Sequence, residues 1–184
     1  FDRGSSGRFE FGCRKRAGCE RPNLDPRICR GGVGLNLCFR FAERVDVPAI
    51  VELLADDVLG AGREGASDLT PYLAAFDQIQ SEDSNLLIVG ELEGAIIATY
   101  QLTVMSGLSL RATRRAHVEG VRVASSLRGQ GVGKRMFDDV EARARALGCG
   151  LLQLATNKSR DDAQRFYGRL GYVDSHIGFK KALK

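Results

Sequence analysis

The sequence has few of the residues that bind metals or form nucleophilic triads. It contains only two histidines, His117 and His176, and its five cysteines do not form the C-x₂-C pairs of a zinc site. No apolar run approaches the roughly 18 residues of a membrane helix, and the N-terminal stretch lacks the apolar core of a signal peptide. We therefore predict no metal site and no membrane partner.

Cysteine is also unevenly distributed. Four of the five cysteines lie at or before position 38, and Cys149 is alone in the rest of the chain. An odd total argues against a complete disulfide framework. The prediction is a reduced, cytoplasmic protein, with Cys149 in the core.

The formal net charge of +4 lies entirely in the first 36 residues, where there are eight Lys or Arg and four Asp or Glu. Residues 37–184 carry nineteen of each, so no net field favours a nucleic acid. Residues 1–36 are rich in Arg, Gly and Cys and show no period. We predict a disordered or non-native leader there, with a basic arm as the alternative, and one domain from residue 37 to residue 184.

Hydrophobic periodicity predicts an α/β domain. Asp46 is expected to cap the first helix, with Pro48 in its first turn and Ile50, Leu53, Leu54 and Val58 on one face. The predicted strands are 37–43, 86–89, 95–104, 114–123, 150–155 and 173–182, with 108–111 as an extension of the sheet, and the further helices are 70–80, 131–147 and 161–170. This order predicts a mixed sheet that is antiparallel early and locally parallel late, flanked by about four helices.

A glycine-rich loop joins the strand ending at Val123 to the helix that follows. The helix begins among Gly129, Gly131 and Gly133, and a helix N-terminus offers free N–H groups and a positive dipole end to an anion. The spacing excludes two common motifs. A dinucleotide G-x-G-x-x-G would end at Lys134, and a P-loop would need Gly at Arg128 and Ser or Thr at Arg135.

The remaining pattern, Arg128-x-x-Gly131-x-Gly133, resembles the acetyl-CoA pyrophosphate loop of the GNAT superfamily of N-acetyltransferases. A second segment is similar to the family's A-x-x-F-Y-x-x-x-G-F/Y pattern through Ala163, Phe166, Tyr167, Gly171 and Tyr172. The resemblance implies the GNAT fold, acetyl-CoA as co-substrate and direct acetyl transfer to a primary amine. The residues that it assigns to acetyl-CoA are Val121, Val123, Arg128, Gly129, Gln130, Gly131, Val132, Gly133, Lys134 and Asn157.

Two residues are candidates for the chemistry that the resemblance implies. Glu119, on the strand that borders the acetyl group, would assist amine deprotonation or bind the ammonium form. The alternative is a strand-face Glu paired with Arg122 or Arg115. Tyr167 would protonate the leaving thiolate, and its alternative is an aromatic packed beside Phe166. Gly120 is the expected site of a strand bulge.

The acceptor is the least specified part. The end of the chain, 175–183, resembles small-molecule members of the family, including aminoalkylphosphonate acetyltransferases, and dimers are common among them. Arg111, Arg114 and Arg115 would suit an anionic substrate or line a solvated hairpin. A protein or peptide N-acetyltransferase and a non-catalytic acetyl-CoA-binding regulator are the rival functions. Five charged residues of the long helix are expected to face solvent: Asp138, Asp139, Glu141, Arg143 and Arg145.

Overall fold

The computed structural model describes residues 24–25, 27–29, 36–56, 62, 64–65 and 67–183. The strands are β1 (Arg27–Cys29), β2 (Leu37–Phe41), β3 (Asn85–Leu92), β4 (Ala95–Met105), β5 (Arg115–Val123) and β6 (Leu151–Leu154). The helices are α1 (Val47–Ala55), α2 (Thr70–Gln80), the short α3 (Ser109–Ala112), α4 (Val132–Ala146) and α5 (Asp161–Arg169). No helix in these ranges is long and apolar enough to cross a membrane.

The six strands lie in one sheet in the order of the sequence. Neighbours from β1 to β5 are antiparallel, and only β5 and β6 are parallel, with α4 as the crossover between them. This arrangement confirms the predicted mixed sheet, including the 86–104 hairpin and the strand at 114–123. β5 has a strand on each side, whereas β6 is a half-buried strand at the edge of the described sheet.

Helices cover both faces of the sheet. On one face, Val132, Met136 and Val140 of α4 pack against Leu102 and Ala116 in the larger apolar cluster, which Cys149 also contacts. On the other face, α1 and α2 contribute Ile50 and Phe76 to a smaller cluster that contains Val89 of β3. Alternate residues of each strand therefore face different helices.

Asp139 and Arg143 of α4 are buried, with exposures of 1% and 0%. The Tyr100 hydroxyl donates to Asp139 Oδ2 at 2.5 Å, and Arg143 Nε donates to the same oxygen at 2.9 Å. Arg143 also donates to the Phe39 carbonyl oxygen. The prediction of a wholly solvated polar face is wrong for these two residues, because their charges pair with each other inside the core.

The N-terminal edge of the sheet carries a disulfide between Cys29 and Cys38, which are cross-strand partners on β1 and β2. The expectation of reduced cysteines is wrong for this pair, because strand register brings together two residues that are nine positions apart. β1 lies within the predicted leader, most of which is outside the described residues. The domain boundary at residue 37 stays a prediction.

Other local predictions are wrong. Residues 109–112 form the short, exposed α3 instead of an extension of the sheet, and Leu110, Arg111 and Ala112 in it have left-handed backbone angles. Residues 173–183 form no strand and are exposed throughout. Asp46 stands at the N-cap of α1 but makes no side-chain bond to that helix. It accepts instead from Arg40 and from the Glu43 N–H. Val58 is outside the described residues.

Candidate active site

β5 carries a bulge where the sequence predicted one. Gln101 of β4 is opposite Glu119 and Thr99 is opposite Arg122, so Gly120 and Val121 together face the single residue Tyr100. Gly120 has φ +61°, a left-handed angle that glycine adopts without a Cβ clash. The bulge changes which way the backbone groups of β5 point beyond Glu119.

β5 and β6 separate just before the bulge. They pair in parallel from Arg115 with Leu151 to Val118 with Leu154, where β6 ends. β5 continues to Val123 without a β6 neighbour in the described chain. Glu119 and Gly120 are exposed, and the rest of the strand end is half-buried. The sheet therefore has an opening beside 119–123, where the backbone can bond to an amide-bearing ligand.

The glycine-rich loop follows this opening. Gly131 is the N-cap of the 15-residue helix α4, with φ +83°, and Gly129 has φ +75°. A Cβ built at either position would meet no described atom within 4 Å. The loop is therefore an open cradle at a helix N-terminus, which fits a pyrophosphate.

Gly133 has a packing role that the sequence did not show. A Cβ at this position would lie 3.2 Å from Cζ of Phe166. Its missing side chain lets α5 approach α4, and its place in the cofactor loop stays a prediction. Val132 is likewise turned inward, with 1% exposure.

The polar side chains of the loop region bind neighbouring protein groups. Arg128 Nε donates to the Val123 carbonyl oxygen at 3.1 Å, and its Nη2 donates to the carbonyl oxygen of Asp56 at the end of α1. Lys134 pairs with Asp138, one helical turn along. Arg128 therefore ties the loop to α1 and β5, and Lys134 is left as an exposed charge near the cradle.

Two further predicted cofactor residues make local contacts. Gln130 Nε2 donates to the Ser126 carbonyl oxygen at 2.9 Å. Asn157 Oδ1 accepts from the N–H of Ser159 at 3.0 Å, in the turn before α5. Val121 and Val123 are half-buried and pack in part against the larger core cluster.

Tyr167 lies in an aromatic cluster near the opening. Its ring centroid is 5.5 Å from that of Phe137, 5.4 Å from Phe166 and 6.0 Å from Tyr172. Burial raises the pKa of the Tyr167 hydroxyl, and the positive charges of Arg160 and Arg122 oppose that rise. The Tyr167 ring is thus packed beside Phe166, as the alternative prediction had it. Its hydroxyl also stays in the protonated form that a general acid needs.

Glu119 is exposed and makes no ion pair with Arg115 or Arg122, so the structure gives no support to the alternative predicted for it. Arg114 is committed elsewhere, because its Nη1 donates to the Leu147 carbonyl oxygen at 2.8 Å. Arg111 lies in the exposed α3.

Sequence reasoning missed a line of polar residues next to Glu119. Asn85, Thr103, His117 and Gln153 are successive register partners on β3 to β6, and Gln101, the partner of Glu119, lies beside them. We call Asn85, Gln101, Thr103, His117 and Gln153 the polar row. All five are half-buried. Their alternation with apolar residues was visible in the sequence, but only the strand register shows that they are neighbours.

The comparisons with known proteins agree with this geometry. The acetyltransferase (GNAT) family model matches residues 48–172. A crystal structure of a transcriptional regulator from Bacillus halodurans is 39% identical, with a TM-score of 0.77, over 80% of this chain and 99% of that one. A predicted acetyltransferase from Clostridium acetobutylicum, with acetyl-CoA, shares the fold at 18% identity and a TM-score of 0.62, over 80% and 96% of the two chains.

One curated relative is an aminoalkylphosphonate N-acetyltransferase from Salmonella typhimurium. It is 42% identical over 66 residues, which are 36% of this chain and 43% of that protein. The match thus spans less than half of the relative's length.

Proposed function

The chain belongs to the GNAT family of acetyltransferases, and we propose that it moves the acetyl group of acetyl-CoA to a primary amine of a small molecule by direct attack. The observation that carries the proposal is the bulge at Gly120 beside the β5–β6 opening. Around this opening, the exposed Glu119 carboxylate, the unpaired edge of Val121–Val123 and the glycine-rich cradle follow one another along the chain. The aminoalkylphosphonate N-acetyltransferase relative supports a small amine as acceptor.

Glu119 and Tyr167 have opposite roles in this proposal. The Glu119 carboxylate attracts the ammonium form of the amine and takes its proton, directly or through a water. The amine nitrogen then bonds to the carbonyl carbon of the thioester, and the carbon–sulfur bond breaks. The Tyr167 hydroxyl gives its proton to the departing thiolate, and the second proton that the nitrogen loses as the amide forms returns to the Tyr167 oxygen, directly or through water. Since burial raises its pKa, the hydroxyl is protonated at neutral pH.

Acetyl-CoA would be held mainly by backbone groups. The N–H groups at the start of α4, from Gln130 to Lys134, would bind the pyrophosphate, with positive charge from Lys134. The edge of Val121–Val123 would pair with the amide-bearing arm as an added strand does. Arg128 is expected to fix the loop through Asp56 rather than to serve chiefly as a phosphate ligand. Asn157 would help to shape the turn beside the arm.

A non-catalytic acetyl-CoA-binding regulator is the second candidate. The observation that favours it is the similarity to a protein described as a transcriptional regulator, which is 39% identical over nearly the whole of that chain. A regulator needs the cradle but not Tyr167. A protein or peptide acetyltransferase is the third candidate, and it would need room for an extended chain over Glu119.

Release of free CoA thiol tests these candidates. Steady-state assays with acetyl-CoA would include small amines, aminophosphonates and peptides, with the Tyr167→Phe and Glu119→Gln variants alongside. Turnover with one small-amine class that is lost mainly in Tyr167→Phe supports the proposal, and turnover only with peptides supports the third candidate. Tight acetyl-CoA binding without turnover on any acceptor would favour the regulator.

We also propose a homodimer. The exposed segment 173–183 contains four large apolar side chains, Val173, Ile177, Phe179 and Leu183, with exposures between 70% and 93%. Such exposed apolar groups favour an interface with a second copy. Sedimentation equilibrium should show a dimer that Phe179→Asp weakens and that the control Val45→Asp, at 76% exposure elsewhere, does not. A monomer at all concentrations would refute this.

The proposed location is the cytoplasm, as cysteine usage suggested. That prediction assumed reduced cysteines, and the Cys29–Cys38 disulfide argues against the assumption, since disulfides are rare in reducing compartments. Mass spectrometry of thiol-alkylated protein taken from cells would show whether this pair is reduced there.

A further inference from the structure

The polar row lies on the sheet face opposite α4. Leu102, Ala116 and Val118 alternate with its members along β4 and β5 and are buried against α4. The row therefore faces the side of α1 and α2, and Glu119 lies on the same side because it is two residues beyond His117. The half-buried row is next to the carboxylate that is proposed to receive the amine.

The members of the row differ in their hydrogen bonding. Asn85 bonds to neighbouring protein side chains, whereas His117 is left to bind a ligand. Asn85 Oδ1 accepts from Gln101 Nε2 at 2.8 Å and from Thr103 Oγ1 at 3.4 Å, and Asn85 Nδ2 donates to Glu82 at 2.9 Å. Asn85 thus bonds to two members of the row and to Glu82. His117 lies between Thr103 and Gln153, its register partners on the two neighbouring strands.

His117 Nδ1 is buried and has no hydrogen-bond partner among the described residues. A buried polar atom without a partner is costly, so native proteins usually supply one from protein, water or ligand. An apolar substrate chain over this nitrogen would leave it unpaired. Because the protein covers this nitrogen, a turn of the imidazole ring is needed to uncover it, and an oxygen atom of the substrate would then satisfy it.

We infer that the polar row is an acceptor subsite, in which His117 binds an oxygen-bearing group of the amine substrate. The inference rests on the proposed function, and it narrows the substrate class. The acceptor is a primary amine with a hydroxyl, carboxylate or phosphonate oxygen a few bonds from its nitrogen. His117 and Glu119 are about 7 Å apart along the strand, which sets the separation of the two groups.

The two histidines allow a direct binding test on the full chain. Ring resonances of His117 and His176 would be followed by NMR with CoA present, while amines of equal chain length are added. His176 is the internal control, since it lies in the exposed segment beside Ser175. We expect saturable shifts of His117 alone with an amino alcohol or an aminophosphonate, and smaller shifts with the plain alkylamine. Equal shifts with the alkylamine, or no shift with any amine, would overturn the inference.

Comparing the amines that carry different oxygen groups identifies which group binds His117. If only the amino alcohol shifts His117, the group is a hydroxyl, and if only the aminophosphonate or amino acid does so, it is anionic. Either outcome supports the subsite. Binding at His117 without turnover would refute the proposed function and leave the subsite intact.

Kinetics give a second readout. The ratio of kcat/KM for an oxygenated amine to that for the matched alkylamine should fall about tenfold in His117→Ala, the loss expected for one hydrogen bond. His176→Ala should keep the wild-type ratio. Acetyl-CoA affinity, measured in parallel, reports whether the variant is folded. An unchanged ratio in a folded His117→Ala protein would show that His117 does not contact the acceptor.

Discussion

Gly133 and Phe166 meet where α4 crosses α5, and a Cβ on the glycine would lie 3.2 Å from Cζ of the ring. The ring cannot easily move away, because it packs edge-on against Phe137 with centroids 5.7 Å apart and tilts against Tyr167. The third glycine of the loop motif thereby helps to fix the proposed acid at its distance from the cradle. One residue thus links the glycine-rich loop, through packing, to the helix that carries the proposed acid.

Gly133→Ala should destabilise the protein by about 1 kcal/mol. The added methyl must displace Phe166, and overpacking of about 1–3 kcal/mol outweighs the gain of up to about 1 kcal/mol in helix propensity. The control is Gly168→Ala in α5, where a Cβ would meet nothing within 4 Å. It should stabilise or leave stability unchanged. Urea unfolding measures both, and a stabilised Gly133→Ala protein would mean that Phe166 can move at little cost.

Asp139→Ala should destabilise the protein by roughly 3–5 kcal/mol, because it leaves the buried Arg143 charge without its carboxylate. The neighbouring Asp138→Ala is the matched control. Asp138 is 38% exposed and, among the described residues, pairs with Lys134, so its loss should change stability by no more than about 0.5 kcal/mol. Similar losses in the two variants, by urea unfolding, would show that the buried network contributes little.

Local sequence patterns predicted most helices and strands and the glycine-rich loop, but not which distant residues they contact. The Gly129–Gly133 loop and the hairpin depend on neighbours in sequence, so their chemistry could be read directly. The burial of Arg143 depends on Tyr100, and the proposed binding role of His117 depends on its neighbours Thr103 and Gln153. Those partners are set by register between distant strands. The prediction for 173–182 was wrong because a strand pattern does not specify which edge it joins.

The stability supplied by Glu91 should depend on pH. The Arg40 hydrogen bond, at 2.7 Å, lowers the pKa of the Glu91 carboxyl below its ordinary 4.5, although partial burial opposes the shift. A lowered pKa stabilises the fold above the unfolded value, and that stability is lost as the pH falls through the folded value. Unfolding free energies of wild type and Glu91→Gln should therefore differ most near pH 7.

The difference between wild type and Glu91→Gln should shrink steadily below about pH 4.5 as the carboxyl takes up its proton. Glu52→Gln, at an exposed position on α1, is the control and should match wild type at every pH. Denaturant titrations at pH 7, 5 and 3 measure this. A gap between wild type and Glu91→Gln that is the same at pH 7 and pH 3 would rule out the charge as its origin.

Tyr167→Phe should lower kcat about 100-fold or more while leaving the KM for acetyl-CoA within about twofold, because only proton donation to the thiolate is removed. Burial raises the hydroxyl pKa above 10, so its protonated form persists throughout the neutral and mildly alkaline range. Wild-type kcat should therefore show no loss from this group below pH 10. The matched control is Tyr172→Phe, whose ring touches Tyr167 and whose own hydroxyl pKa is raised to about 12.

The Tyr172 hydroxyl is buried without a partner in the described chain, so its removal should cost no activity and should not reduce stability. Steady-state pH profiles of the three proteins, with thermal unfolding to confirm folding, decide the assignment. A larger loss in Tyr172→Phe would transfer the acid role to that residue. Equal activity in all three proteins would mean that the thiolate leaves without a protein acid.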